Sequence, residues 1–189
     1  MTPRQRMLAT FDFAGPDRLP VVYHPSEAGL HTHGERLREL FRRYPPDNPI
    51  AFDRIPAPPA SAMAADGSYY EEITDAWGVR WGHHVFGIQG QPVAYSFASW
   101  AEAADYQFPE LPPLTGPAGA PAPDQDYLVI DGWVCTLQQL YALRPMEEVL
   151  VGLAVGDRHL LAFLERLVAY CHECIDSLLA AGADVVMFA

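Results

Sequence analysis

Between Asp157 and Ala180, Leu160, Leu161, Leu164, Leu167, Val168, Cys171, Ile175, Leu178 and Leu179 recur at the spacing of one helix face. They predict a long amphipathic helix with Gly182 as its stop. An apolar run precedes it at Tyr127–Ile130, and another follows at Asp184–Phe188; both are of the buried-strand type. Leu137–Leu143 and Pro145–Leu153 read as two shorter helices, the second with proline at its favoured first position. Strand, helices and strand, with both strands uniformly apolar, make a βαβ unit and predict parallel pairing.

The first half is less regular. Arg4, Arg6, Met7, Leu8 and Phe11 alternate wet and dry faces of a short helix over residues 2–14, which Gly15-Pro16-Asp17 ends. Leu19–His24 reads as a short buried strand, Glu35–Tyr44 as a second helix, and Ile50–Asp53 as a second strand. Residues 69–100 interleave aromatic residues with Gly78, Gly82, Gly87 and Gly90, and predict a β-hairpin, Val79–Trp81 paired with Gln91–Tyr95. Six prolines mark residues 109–123 as a loop and as the plausible internal seam.

Composition narrows the function classes. The chain has 189 residues, 50% of them hydrophobic, and a net charge of −12. It contains no lysine, and eight of its arginines fall in the first 54 residues, so the remainder is strongly acidic. A basic nucleic-acid footprint is absent. No run approaches the ~18 apolar residues of a membrane span. Three cysteines without a secretory leader point to free thiols in a reducing cytoplasm. The final apolar run needs helices on both faces, so the expected fold is α/β, a (β/α)8 barrel present as an incomplete N-terminal portion with a hairpin insertion. Such barrels typically need ~250 residues.

Several segments together resemble the uroporphyrinogen decarboxylase superfamily, in a divergent branch. They are Arg4-x-Arg6, Pro16-Asp17-Arg18-Leu19-Pro20-Val21, Asp75-Ala-Trp77-Gly78-Val79-Arg80-Trp81 with Gly87-x-x-Gly90, and the run Ala181-Gly182-Ala183-Asp184-Val185-Val186. The resemblance spans essentially the whole chain and implies the N-terminal part of one barrel domain. It implies decarboxylation of a carboxylated, tetrapyrrole-related substrate in porphyrin metabolism, without metal or organic cofactor. It also implies that this portion alone is inactive.

The family's site residues carry over in part. Ser26-Glu27-Ala28-Gly29-Leu30 stands where the family has R-Q-A-G-R, so both substrate-binding arginines are replaced. Asp53 matches the aspartate after the second strand. Gly132 lies in the segment matching the turn after the third, and Tyr141 falls one position from the family tyrosine. Arg36 is a candidate replacement for the lost arginines, although Glu35 and Glu39 beside it suit a solvated face.

The residues themselves supply further candidates. His24 closes the first predicted strand, at the barrel end where chemistry occurs, or bonds a loop carbonyl there. Asp131 directly follows the Tyr127–Ile130 strand, where an acid can touch substrate or cap the next helix. His24 with the loop residues His31 and His33 could share a metal, but no cysteine or carboxylate with tight spacing completes the set. Cys171-His172-Glu173-Cys174 mimics a metal pair, yet Cys171 belongs to the apolar stripe and reads as core. Trp77 and Trp81 read as packing for the hairpin. One alternative is a corrinoid-linked methyltransferase of the same superfamily, with zinc and a corrinoid. Another is a non-catalytic binding protein. An isolated half-barrel would aggregate or dimerise, which makes a homodimer an expected assembly.

Overall fold

The computed structural model describes residues 1–50, 54–111, 127–128 and 130–188, with the backbone alone for 130–133. The chain forms two compact units. The first holds the described residues within 1–71, 83–90 and 127–128; the second holds those within 72–82, 91–111 and 130–188. The architecture is mixed helix and sheet, and among the described residues no helix is long and apolar enough to cross a membrane.

In the first unit, α1 (Pro3–Phe11) starts where Thr2 accepts from the Gln5 amide and the Gln5 side chain accepts from the Thr2 amide. Its buried Arg6 donates from Nε to Asp17 Oδ1 at 2.6 Å and from Nη2 to Asp17 Oδ2 at 3.1 Å, and pairs through Nη1 with Asp47. Arg18 grips Asp47 with two bonds of 2.7 and 3.0 Å. The Val21 amide donates to Asp47 Oδ2 at 2.8 Å, and the Asp47 amide returns a bond to the Val21 carbonyl at 2.7 Å. Asn48 repeats the exchange with Tyr23, its carboxamide accepting from the amide and donating to the carbonyl, both at 3.0 Å.

The expected Leu19–His24 strand is therefore not a strand. It is extended, but the Asp47 and Asn48 side chains take the place of a neighbouring ladder, and Leu19 is 80% exposed. The second predicted strand falls largely on residues 51–53, outside the described residues.

The second helix begins earlier than the apolar pattern suggests. α2 (Glu27–Arg43) is capped by Ser26, which accepts from the Gly29 amide at 3.0 Å. The segment aligned with R-Q-A-G-R is thus this cap and first turn, and His31 and His33 are helical residues rather than loop residues. Gly34 breaks the helix at φ 49°, ψ −130°, a left-handed conformation that other residues avoid. Against the first turn lies the 83–90 segment. A Cβ on Gly87 would stand 2.4 Å from the Ala28 nitrogen, so only glycine fits there.

A three-stranded sheet, all but Glu71 and His83 of it in the second unit, has the order β1 (Glu71–Thr74), β2 (Arg80–His83), β3 (Gln91–Ala94). Its β2–β3 pair is the expected antiparallel hairpin, Trp81 opposite Pro92. Asp75 makes the turn before β2. Its Oδ1 accepts from the Trp77 and Val79 amides at 2.9 Å each, and its Oδ2 from Trp81 Nε1 at 2.8 Å. The Asp75–Trp81 motif is thus a hydrogen-bonded turn, with both tryptophans packed on the core.

The βαβ unit completes this half. β4 (Ile130–Val134) is followed by α3 (Leu137–Leu143), α4 (Met146–Val155), α5 (Arg158–Ala180) and β5 (Val185–Phe188), and β4 and β5 pair in parallel. Asp157 caps α5 by accepting from the His159 and Leu160 amides. Leu140, Leu143, Val149, Leu160 and Leu167 bury their side chains around Phe163. Phe97, Trp100, Tyr106 and Phe108 set their ring centroids 5.4–5.9 Å from Phe163. Arg166 reaches from α5 to the carbonyls of Ala103, Ala104 and Tyr106, with its guanidinium over Phe108.

The buried carboxylate of Asp47 yields an acid-stability expectation. Burial opposes its ionisation, but the Val21 amide and the guanidinium groups of Arg18 and Arg6 outweigh that and hold its carboxyl below the ordinary 3.8. The hydrogen bond from Arg6 likewise lowers Asp17. Groups depressed in the fold stabilise it above about pH 4, and that contribution disappears as pH falls through their folded values. Asp47→Ala is expected to cost about 3 kcal/mol by urea denaturation at pH 7 and to flatten the loss of stability below pH 4. An unchanged midpoint or an unchanged acid limb contradicts this account.

Candidate functional site

Three of the sequence-derived candidates fall in or just after β4. Its register with β5 runs Ile130 to Val185, Asp131 to Val186, Trp133 to Met187 and Val134 to Phe188. Gly132 is the extra residue, so a β-bulge sits in the strand between Asp131 and Trp133. This corrects two expectations. Asp131 is the second residue of the strand rather than the first after it, and Gly132 is a strand residue rather than part of the following turn. The strand is shifted because its pairing is fixed by Val185–Phe188, which opposes Trp133 and Val134 rather than Tyr127 and Leu128.

The turn out of β4 is Cys135-Thr136, and α3 follows with Tyr141 in its second turn. Tyr141 is half-buried against the hydrophobic core. At the carboxyl ends of β4 and β5 lies a cavity of about 290 Å3, lined by Val134, Thr136 and Phe188 and by Val168, Cys171, His172 and Ile175 of α5. In parallel α/β folds this end of the strands is where ligands bind. The lining is mainly apolar, with the Thr136 hydroxyl and the His172 imidazole as its polar groups.

The Cys171-His172-Glu173-Cys174 segment behaves as packing rather than as a ligand pair. Cys171 is buried in the core cluster, and burial pushes its thiol up to about 11, with Cys174 and Cys135 adding to the shift. Burial also raises the neighbouring Tyr170 phenol. Among the described residues, no three His, Cys, Asp or Glu side chains are grouped so that they could hold a metal ion.

The remaining candidates belong to the first unit. His24 is exposed and lines an open cavity of about 310 Å3 with Tyr23, Pro25, Asn48, Pro49 and Ile50. His31 places Nδ1 3.0 Å from the Pro56 carbonyl and sets its ring edge-on to Phe86. On α2, Glu35 pairs with Arg38 and Arg42. Arg36 is exposed and makes no ion pair among the described residues. Asp53 lies outside the described residues.

Asp47, Asn48 and Thr136 were not among the residues the sequence pointed to, and His172 stood out only as part of the Cys171–Cys174 segment. A signal for the first two existed: Pro45-Pro46-Asp47-Asn48-Pro49 surrounds two polar side chains with residues that lack an amide hydrogen. Thr136 carries no comparable signal, and nothing local assigns His172 to a cavity, because each meets it only through the β4–α5 packing.

No family model, curated protein or solved structure matches this chain.

The raised Cys171 thiol makes a chemical expectation, since the thiolate is the reactive form. Iodoacetamide at pH 8 is expected to leave Cys171 unmodified in the folded protein and to alkylate it fully in urea, as read by peptide mass. Alkylation of folded Cys171 at the rate of a free thiol contradicts its placement in the core.

Proposed function

We propose that this chain contributes to a decarboxylase resembling uroporphyrinogen decarboxylase, on a barrel of the (β/α)8 type, acting on a carboxylated tetrapyrrole-related substrate. The observation that carries the proposal is the parallel β4–β5 pair with its bulge at Gly132. Parallel strands of α/β enzymes present substrate-binding residues at their carboxyl ends, and bulges recur beside such sites.

The chemistry consumes one proton for each carbon dioxide released. A proton adds to a ring carbon beside the pyrrole nitrogen and leaves the ring cationic. The bond to the carboxylate then breaks, and its electron pair neutralises the ring as an exocyclic methylene forms. Protonation of that methylene, with loss of the first proton, leaves a methyl group. The enzyme's task is to stabilise the cationic ring and to hold the substrate in place. In this reading Asp131 stabilises the cationic nitrogen; Asp53, matched by resemblance to the family aspartate, lies outside the described residues and is assigned no step. Gly132 lets the substrate approach the backbone, and Tyr141 supplies a hydroxyl group. His24 and Arg36 belong to the other unit, and no step is assigned to them.

The test is carbon dioxide release from a reduced, carboxylated porphyrinogen under anaerobic conditions by the native gene product. Release is expected, and Asp131→Asn is expected to lower it by about 100-fold while leaving the far-ultraviolet circular dichroism unchanged. Absence of both binding and release, or full activity in Asp131→Asn, overturns the reading.

A further inference from the structure

From Val149 to Val155 α4 carries only apolar residues around its circumference, a pattern that belongs to buried helices, while Glu147 and Glu148 occupy its first turn. Its inner face is buried, with Val149 fully enclosed and Gly152 against Leu160. Its outer face is open: Leu150 is 49% exposed, Val151 61% and Val155 73%, and Ala154 lies exposed among them. No charged residue interrupts the stretch from Val149 to Gly156. Yet the stripe is bounded by charges of opposite sign. Glu147 stands exposed in the first turn and has no ion-pair partner among the described residues. Arg158 stands exposed just past the other end, and its side chain bonds only the His159 ring among the described residues.

We propose that this face is a self-association surface, on which α4 of a second copy of the chain packs antiparallel about a two-fold axis. The pattern is symmetric under that operation. The axis passes between Gly152 and Leu153 in sequence, setting Leu150 of each copy against Val155 of the other and Val151 against Ala154. It also brings each Glu147 to the end of the partner helix where Arg158 begins, so the Glu147–Arg158 pair forms twice. A parallel arrangement would instead set Glu147 against Glu147. The small Ala154 near the middle of the stripe allows close approach of the two helices.

The size of the face sets the strength of the association. A helix of ten residues is about 15 Å long, so the stripe is smaller than the roughly 800 Å2 per partner of a stable complex. The dimer is therefore weak and concentration-dependent.

Sedimentation equilibrium of the 189-residue chain between about 1 and 200 μM tests this. A reversible monomer–dimer equilibrium is expected. Val151→Asp should weaken it at least 100-fold, and Glu147→Arg about tenfold. The double variant Glu147→Arg, Arg158→Glu should restore most of the loss, a rescue that only an antiparallel self-pair provides. A monomer throughout the range, a dimer indifferent to Val151→Asp, or a double variant weaker than Glu147→Arg alone overturns the proposal.

Discussion

Parallel pairing of Ile130–Val134 with Val185–Phe188 governs the second half of the chain. Two parallel strands cannot be joined by a tight turn, so everything between them must return the chain across the sheet. α3, α4 and α5 make that return, and the apolar stripe of α5 is the surface on which it closes. The aromatic segment 95–108 is held to the same helix through Phe163 and Arg166. The cavity at the strand ends follows from this arrangement, because α5 lies against β4 and β5 where both strands finish.

The first half solves a different problem. An extended segment without a neighbouring strand leaves amides and carbonyls to be satisfied. Asp47 and Asn48 satisfy those of Val21 and Tyr23 with their side chains, while Arg6 and Arg18 compensate the buried carboxylate. The arrangement links α1, the extended segment and the turn after α2. The Arg4-x-Arg6 and Asp17-Arg18 residues noted for their resemblance to a family opening include three members of this ionic network, Arg6, Asp17 and Arg18. Their local role is structural, and that role is independent of any substrate.

Long elements with a clear period were readable from the sequence, and those held by polar side chains were not. The α5 stripe and the helix at Leu137–Leu143 stood out because apolar spacing and burial act together there, and the parallel pair followed from two apolar runs, although β4 lies three residues later than its run and Phe188 of β5 is exposed. The Leu19–His24 segment misled because an apolar run looks the same whether its backbone is paired by a strand or by Asp47 and Asn48. α2 began eight residues earlier than its apolar face suggested, since the Ser26 cap, and not hydrophobic spacing, sets its start. Around the candidate site, Asp131 and Gly132 were expected just past a strand end and instead lie within β4. Their position within β4 depends on a register with residues more than fifty positions away, which no local pattern carries.

The central claim is that ligand chemistry belongs to the carboxyl ends of β4 and β5. Backbone amide NMR during titration with a carboxylated porphyrin tests it directly. Chemical-shift changes are expected to concentrate at residues 131–136 and 186–188. An unperturbed spectrum, or changes confined to the first unit, would contradict it.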